Sequence, residues 1–525
     1  MKELPGIFNN VIGPVRRGPS SSHTAASWRI AQTSLDLLGE PLGKALVEFD
    51  RDGQWATNYR EQGTTLGIEG GLLGLGISDE RIKDTEQYAQ EKGISITYEV
   101  SSFPTNHANT VRLTLWGTSQ KKIQVVAVSL GGGAFEIRSI DQFDAILNGE
   151  WHEIICFAKS NNLEKLKALQ SDEIKLRFQE KEDGTWYQFK SSLPFSSAII
   201  AQLKSNLELD TVAVVKPVMP MIAGRQTEMP FSTIESLTTY AEETGLNLGQ
   251  LGLLYEKCVS GLEDEELVQN MEGLLQIIND GIDIGLKGTY YADRILQQQY
   301  HLIEAAEVKG KIIDSIVNRI IANVSALMEA KSGMEVIVAI PTAGSCGAVG
   351  GSVRAVADNL NSSHEDVISA YFAAGLIGAY YAQGPGFSAE EHGCQVETGA
   401  AAGMAAAAIA QLMGGNAKNS LDAASMAIQN TIGLICDPVA DRVEVPCLGK
   451  NINAGINGFT TATMSVAGFD AVIPLDQVIQ SVSEVSKTMP SCVKCTGEGG
   501  LALTETAKQI KKRLAEKNSN QKVKL

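Results

Sequence analysis

Three cysteines, Cys394, Cys436 and Cys447, stand among turn residues (Gly393, Pro438, Pro446) instead of inside a periodic apolar pattern. Thiols spaced this widely either converge on one inorganic centre or are three buried free thiols, since free cysteine is often a plain core residue. No compact C-x-x-C unit among them decides between the two. Cys492 and Cys495 do form a C-x-x-C pair (SCVKC), one isolated signal for redox or metal chemistry. Cys346, after the loop PTAGS, is either a further ligand or a small residue at a helix start. Gln395 and Glu397 flank Cys394 and could orient a ligand or substrate; Asp437, beside Cys436, does the same or caps a turn. Cys156 and Cys258 lie in core-like patterns and carry no assignment.

A second kind of chemistry is anion capture. Ser20, Ser21, Ser22 and Thr24 supply four hydroxyls around His23, directly before a helical pattern. Unpaired backbone N–H groups at a helix start suit a carboxylate or phosphate; the alternative is an ordinary N-cap by Ser22 or Thr24. Thr342, Gly344 and Ser345 occupy a similar loop opening a later helix. His107 and Asn109 precede a strand, so the imidazole lies either at a domain edge or in an exposed loop. Gly131–Gly133 reads as a tight turn ending a strand. Neither a GxGxxG fingerprint nor a nucleotide-triphosphate loop is present.

The elements that must position these residues fall into two blocks. Up to residue 215, helices alternate with strand candidates at Ala45–Phe49, Ile94–Val100, Val111–Trp116 and Ile123–Ser129, rich in β-branched residues. Ala26, Ile30, Thr33 and Leu37 share one helix face, and the glycine-rich Gly63–Gly76 reads as a second packed helix. A less regular α/β pattern runs through Trp151–Leu203. Residues 216–228, rich in proline and methionine, read as a linker. From 229 to 525 nearly everything is helical, with Leu267, Met271, Leu274 and Ile278 on one face and Ile313, Ile316, Ile320, Val324 and Leu327 on another. The expected fold is therefore multidomain: an N-terminal α+β region followed by a mostly α-helical domain that carries the cysteines. The tail from Lys508 is expected to begin as helix and end charged and solvated.

Composition narrows the function classes. With 525 residues, 44% apolar and 20% charged, the chain can bury sizeable cores. A formal charge of −17 argues against nucleic acid or an anionic membrane as the main partner. The start shows no basic region followed by an apolar core, and the apolar runs Val367–Ala382 and Ala400–Met413 are short for a membrane span. Eight cysteines in a long chain of this kind imply a reducing compartment. The expectation is a cytoplasmic protein with a small-molecule substrate, no nucleic-acid partner and no membrane.

Taken in order, GPSSSHT (18–24), HANTVR (107–112), SLGGG (129–133), IPTAGSCG (340–347), GCQVETG (393–399), GLICDPVADRVEVPC (433–447) and GGLA (499–502) resemble the iron–sulfur-dependent L-serine dehydratases, or L-serine ammonia-lyases. The resemblance covers both blocks, with the β part preceding the α part. It implies a [4Fe-4S] cluster held by Cys394, Cys436 and Cys447, with one iron left without cysteine to act on a substrate hydroxyl. It implies conversion of L-serine to pyruvate and ammonia by a homodimer, in amino-acid degradation and gluconeogenesis. The substrate carboxylate is then expected against Ser20, Ser21, Ser22, Thr24, Thr342, Gly344 and Ser345, with His107 and Asn109 also binding substrate and His23 as base. Cys346 falls where many relatives have alanine and is not counted as a ligand. Two departures stand out: where the family has a GHGTD-like motif this chain has Glu61–Thr65, with Gln62 for the histidine and Thr65 for the aspartate. The usual KYKETSRGGLA becomes CVKCTGEGGLA at 492–502, and the chain ends in Leu525 with no C-terminal cysteine. L-cysteine as substrate, or a cluster-bearing sensor without turnover, are the alternatives. No lysine stands in a convincing pyridoxal-phosphate context.

Overall fold

The structure is a computed structural model, and it describes residues 4–522 apart from 19, 161, 172, 206–208, 222–227 and 292–293. Part of the expected linker, 222–227, thus lies outside the described residues. The two-part architecture is as expected: sheets with helices first, then a mostly helical half.

The first half is built on a six-stranded sheet in the order β3-β2-β4-β5-β6-β7. Its strands are β2 (Leu42–Asp50), β3 (Ser95–Ser101), β4 (Thr110–Gly117), β5 (Lys122–Gly131), β6 (Ala134–Ile140) and β7 (Phe143–Leu147). Only β2 and β3 pair in parallel; the other neighbours are antiparallel. The Ala26–Leu38 helix covers one face, burying Ala26, Ile30 and Leu37 against Val47, Leu113 and Val125. The four strands foreseen from β-branched content are all present, one or two residues longer at most ends. The triple glycine ends β5 as expected and turns it into β6, with φ of 92°, 62° and 95°. Such angles are costly for any residue with a Cβ.

The irregular stretch after residue 150 resolves into a second sheet, β11-β8-β10-β9, from β8 (His152–Ala158), β9 (Ile174–Lys181), β10 (Gly184–Ser191) and β11 (Thr211–Val215). Helices Leu163–Lys167 and Ser197–Ser205 connect them, giving a split βαβ unit with its own small core.

Helices packed through alanine and glycine make the second half. Leu267, Met271, Leu275 and Ile278 are buried along Asp264–Lys287, so Leu275 takes the inward place expected of Leu274. Ile313 lies before the Ile316–Ser332 helix and is 88% exposed, because that helix starts at a Ser315 cap. Ile7, Phe8, Val11 and Ile12, from the start of the chain, insert into this helical core. The halves are further joined by the antiparallel pair β1 (Val15–Arg16) and β12 (Ile337–Val338). These two short strands lead into the Ser20–Thr24 and Thr342–Ser345 loops, which explains why the loops meet. Among the described residues no helix is long and apolar enough to cross a membrane.

Candidate active site at the junction of the two halves

Ser21 to Ala25 form one π-helical turn before the Ala26–Leu38 helix, and neither Ser22 nor Thr24 caps it with its side chain. The expected N-cap is therefore replaced by a wide turn that frees the hydroxyls for other partners. Its position is set by close packing: a Cβ on Gly67 would lie 2.3 Å from the Thr24 carbonyl oxygen, so only glycine lets the Thr64–Leu72 helix approach. The Ser21 hydroxyl accepts the Ala343 N–H at 2.8 Å, a direct link between the two loops. Thr24 donates to the Gln62 carbonyl at 3.2 Å. Ser22 is buried in the same turn.

His23 is fully buried and reaches across the junction. Its Nε2 lies 2.9 Å from Asn58 Oδ1, while Nδ1 lies 3.0 Å from Ser20 Oγ and 3.4 Å from Glu390 Oε1. Asn58 Nδ2 points at the Cys495 carbonyl, so Asn58 Oδ1 faces the ring and Nε2 carries the hydrogen. The Nδ1 lone pair is then left for Ser20 or an incoming proton. Burial lowers the His23 pKa, and Glu390 and Asn58 oppose that shift.

On the helical side, Ser345 bonds within its own loop, to Thr342 Oγ1 at 3.0 Å and to the Ile340 carbonyl at 3.2 Å. Asn451 donates to the Gly344 carbonyl at 2.7 Å and to the Cys447 carbonyl at 2.9 Å, fastening this loop to the last cysteine segment. Gly344 faces Glu397, whose carboxylate oxygens would lie 3.6 Å from a Cβ there. His107 pairs with Glu391 at 3.3 Å and accepts the Asn109 N–H at 3.1 Å. Among the described residues, the buried Asn109 amide and the neighbouring Ser129 hydroxyl have no hydrogen-bond partner. Leaving such groups unpaired costs about 1–3 kcal/mol each, so they are poised for a ligand. Gly131 brings this strand end to the cysteine half through a parallel bridge to Phe387.

The cysteines are brought together in part. Cys394 Sγ, Cys436 Sγ and a Glu397 carboxylate oxygen all lie within 4.8 Å of one another. Gln395 holds the two thiol segments together, its Oε1 accepting the Gly433 N–H at 2.9 Å while its own N–H donates to the Leu434 carbonyl. Asp437 accepts from Lys450 at 2.9 Å and from the Leu501 N–H at 3.0 Å, tying the GGLA segment to the same place. Cys447 begins the Cys447–Val466 helix, within electrostatic reach of Cys394 but packed in the main helical core. The thiol that packs directly with Cys394 and Cys436 is Cys495. Its N–H donates to the Cys436 carbonyl at 2.9 Å, and Gln62 Nε2 lies 3.6 Å from its sulfur. A hydrogen bond from Cys436, with Lys450 nearby, brings Cys394 down to about 7, whereas Cys436 is pushed up by the same sharing. Cys346 is buried and pushed up to about 12 by that burial. Buried thiols, one of them readily ionised, beside a carboxylate and a lysine are a donor set that suits an iron–sulfur cluster.

Several of these residues carry no sequence signal of their own. Glu390, Asn58 and Lys450 belong to no spacing pattern, and only contacts between distant segments reveal them. Cys495 did carry a signal, the C-x-x-C pair, whose weakness lay in its isolation.

The family model described as serine dehydratase alpha chain matches residues 155–502. A probable L-serine dehydratase alpha chain from Bacillus subtilis is 32% identical over 289 residues, 54% of this chain and 95% of the relative. The L-serine dehydratase alpha chain of Peptoniphilus asaccharolyticus is 29% identical over 286 residues, 54% of this chain and 97% of its own length. L-serine dehydratase 1 of Escherichia coli is 30% identical over 280 residues, 52% of this chain and 62% of the relative. With the family match running through the split βαβ unit, the cysteine segments and the GGLA segment, the chain belongs to the serine dehydratase alpha chain family.

Proposed function

We propose that the protein is an L-serine ammonia-lyase, dehydrating and deaminating L-serine to pyruvate and ammonia with a [4Fe-4S] cluster. The observation that carries this reading is the convergence of the Cys394–Cys436–Glu397 group and the His23–Glu390 pair on one junction. Cys394, Cys436 and Cys447 would hold the cluster, and Cys495 is a further thiol within that wall. When bound, the cluster supplies an iron without a cysteine ligand, a Lewis acid for the substrate hydroxyl.

The protein's own groups do the rest. Asn109 and Ser129 offer unpaired donors and acceptors to the substrate, and the Ser20–Thr24 and Thr342–Ser345 loops enclose it. His23 takes the α-proton at Nδ1, the nitrogen that Asn58 leaves without hydrogen, and Glu390 balances the charge gained. Loss of the hydroxyl yields an enamine, which tautomerises and hydrolyses to pyruvate and ammonia. The unit at 1–215 encloses substrate, the unit at 229–525 holds the cluster, and 216–228 joins them. The reading includes a cytoplasmic homodimer in amino-acid degradation.

A second reading, the same chemistry on L-cysteine, is favoured by one observation. The amide of Gln62 already contacts a sulfur, that of Cys495, in the site wall. Anaerobic reconstitution followed by a screen of L-serine, L-threonine and L-cysteine separates the two. Pyruvate from serine supports the first, sulfide release from cysteine alone supports the second, and neither product would leave a cluster-bearing sensor.

A further inference from the structure

A cavity of about 580 Å³ opens where the Ala26–Leu38 helix, the start of the chain, residues 216–221 and the Asp264–Lys287 helix meet. Among the described residues, none that lines it belongs to the hydroxyl loops or the cysteine segments. Phe8, Ile12, Trp28 and Leu274 give it an apolar wall. That wall is held open by hydrogen bonds. Trp28 Nε1 donates to the Leu75 carbonyl at 2.7 Å, and Asp36 accepts the Lys216 N–H at 3.0 Å. Asn9 clasps Met221 with both ends of its amide, donating to the carbonyl at 2.9 Å and accepting the N–H at 2.7 Å. The 216–221 segment is thus fastened at both ends, and the space beside it is preformed.

One side of the cavity is polar. Arg29, Gln32 and Asp36 line it, and their spacing of three and four residues puts them on one side of the helix. Ala26, Ile30 and Leu37 of the same helix pack on the sheet. A polar row of this kind ordinarily meets solvent; here it meets aromatic and aliphatic side chains. Asp36 is already engaged through Lys216. Arg29 is 1% exposed, its Nη1 donates to the Gly133 carbonyl at 2.6 Å, and it makes no ion pair among the described residues, with Glu150 within electrostatic reach only. Gln32 is half-buried and makes no side-chain hydrogen bond among the described residues. A buried guanidinium with one N–H engaged lacks a counter-charge, and a carboxylate matches its planar fork with two parallel bonds. The wall calls for an apolar body, since a compact hydrated ion would leave that surface wet. A preformed, mostly apolar cavity of this size with a few convergent polar groups is what a small-molecule site requires.

We propose that this cavity binds an apolar monocarboxylate, with the carboxylate on Arg29 and Gln32 and the body against Phe8, Ile12, Trp28 and Leu274. Arg29 lies on the helix that follows the His23 turn, and Gly133 lies in the turn that bridges to Phe387 through Gly131. The occupant therefore adjoins the substrate junction without entering it, and both ligands bind at once. The site goes beyond the lyase reading and does not depend on it.

The test is calorimetric titration and thermal shift of the reconstituted protein with octanoate and 4-phenylbutyrate, each beside its neutral amide. The two acids distinguish an aliphatic from an aromatic source. At least one acid is expected to bind with a Kd below about 1 mM, and at least about tenfold more tightly than its amide. Leu274→Trp fills the cavity and is expected to weaken that acid at least about tenfold, with iron content and serine KM within about twofold of wild type. Arg29→Gln should erase the preference for acid over amide, and Arg29→Lys should recover part of it. Saturating L-serine should leave the acid bound. No binding of either acid by wild type, or equal binding of acid and amide, would overturn the proposal, and neither result needs a variant to fold. Undiminished binding by a folded Leu274→Trp protein, or displacement of the acid by L-serine, would overturn it too, by placing the acid elsewhere. Selective binding of the acid by protein that forms no pyruvate would sink the lyase reading alone and leave this inference standing.

Discussion

His23 Nδ1 and Glu390 Oε1 meet at 3.4 Å, although one comes from the start of the chain and the other from the segment leading to Cys394. An imidazole in one half is thus tuned by a carboxylate in the other. Neither half alone holds the pair.

The first prediction follows from that tuning. Glu390 raises the His23 pKa against the lowering effect of burial. Glu390→Gln removes the opposing charge, so the acid limb of kcat/KM should move to lower pH, with kcat down by about 10- to 100-fold. His23→Ala should abolish turnover of every substrate alike. A pH–rate profile on reconstituted protein checks both, and an acid limb that stays in place would count against His23 as the base.

Gln62 and Thr65 are both buried, and the Gln62 amide lies 3.6 Å from the Cys495 sulfur. An amide exchanges no proton near neutral pH, whereas an imidazole does. Gln62→His with Thr65→Asp is expected to raise serine turnover or to shift preference among serine, threonine and cysteine. An unchanged substrate profile would place these side chains outside the site.

A third prediction concerns stability. Glu256 is buried beneath the inserted N-terminal segment, its Oε2 accepting the Ile7 N–H at 2.5 Å, and burial pushes its carboxyl up to about 8. With a folded pKa above the unfolded value, its contribution is full below pH about 4.5 and is lost as pH rises through about 8. Glu256→Gln removes this titration while keeping an acceptor for Ile7. The melting temperature of the variant should therefore gain on wild type between pH 6 and pH 9. A constant difference across that range would refute the assignment.

Much of the architecture was legible because period and β-branching report burial directly. The four strands of the first sheet and the Ala26–Leu38 helix follow from which faces are apolar. The second sheet was not legible, since its edge strand β9 is largely exposed and alternates weakly, while β10 is buried almost throughout. Within the site, the hydroxyl loops and Cys394, Cys436 and Cys447 were readable as motifs. What sequence spacing lacks is the third dimension. The Asn58 carboxamide that sets the His23 tautomer, and the Cys495 backbone paired to Cys436, depend on distant segments meeting. Leu274 and Leu275 show the same limit on a smaller scale, because one residue of helix rotation decides which faces inward.

The most direct measurement is iron and sulfide per chain, together with pyruvate from L-serine, on anaerobically reconstituted wild type and four variants. Wild type should hold about four irons and form pyruvate. Cys394→Ser, Cys436→Ser and Cys447→Ser should each lose most of the iron and the activity, while Cys346→Ala keeps both. Pyruvate formed at full rate by iron-free protein would contradict the central claim, as would a Cys346→Ala protein that is empty beside a Cys447→Ser protein that is full.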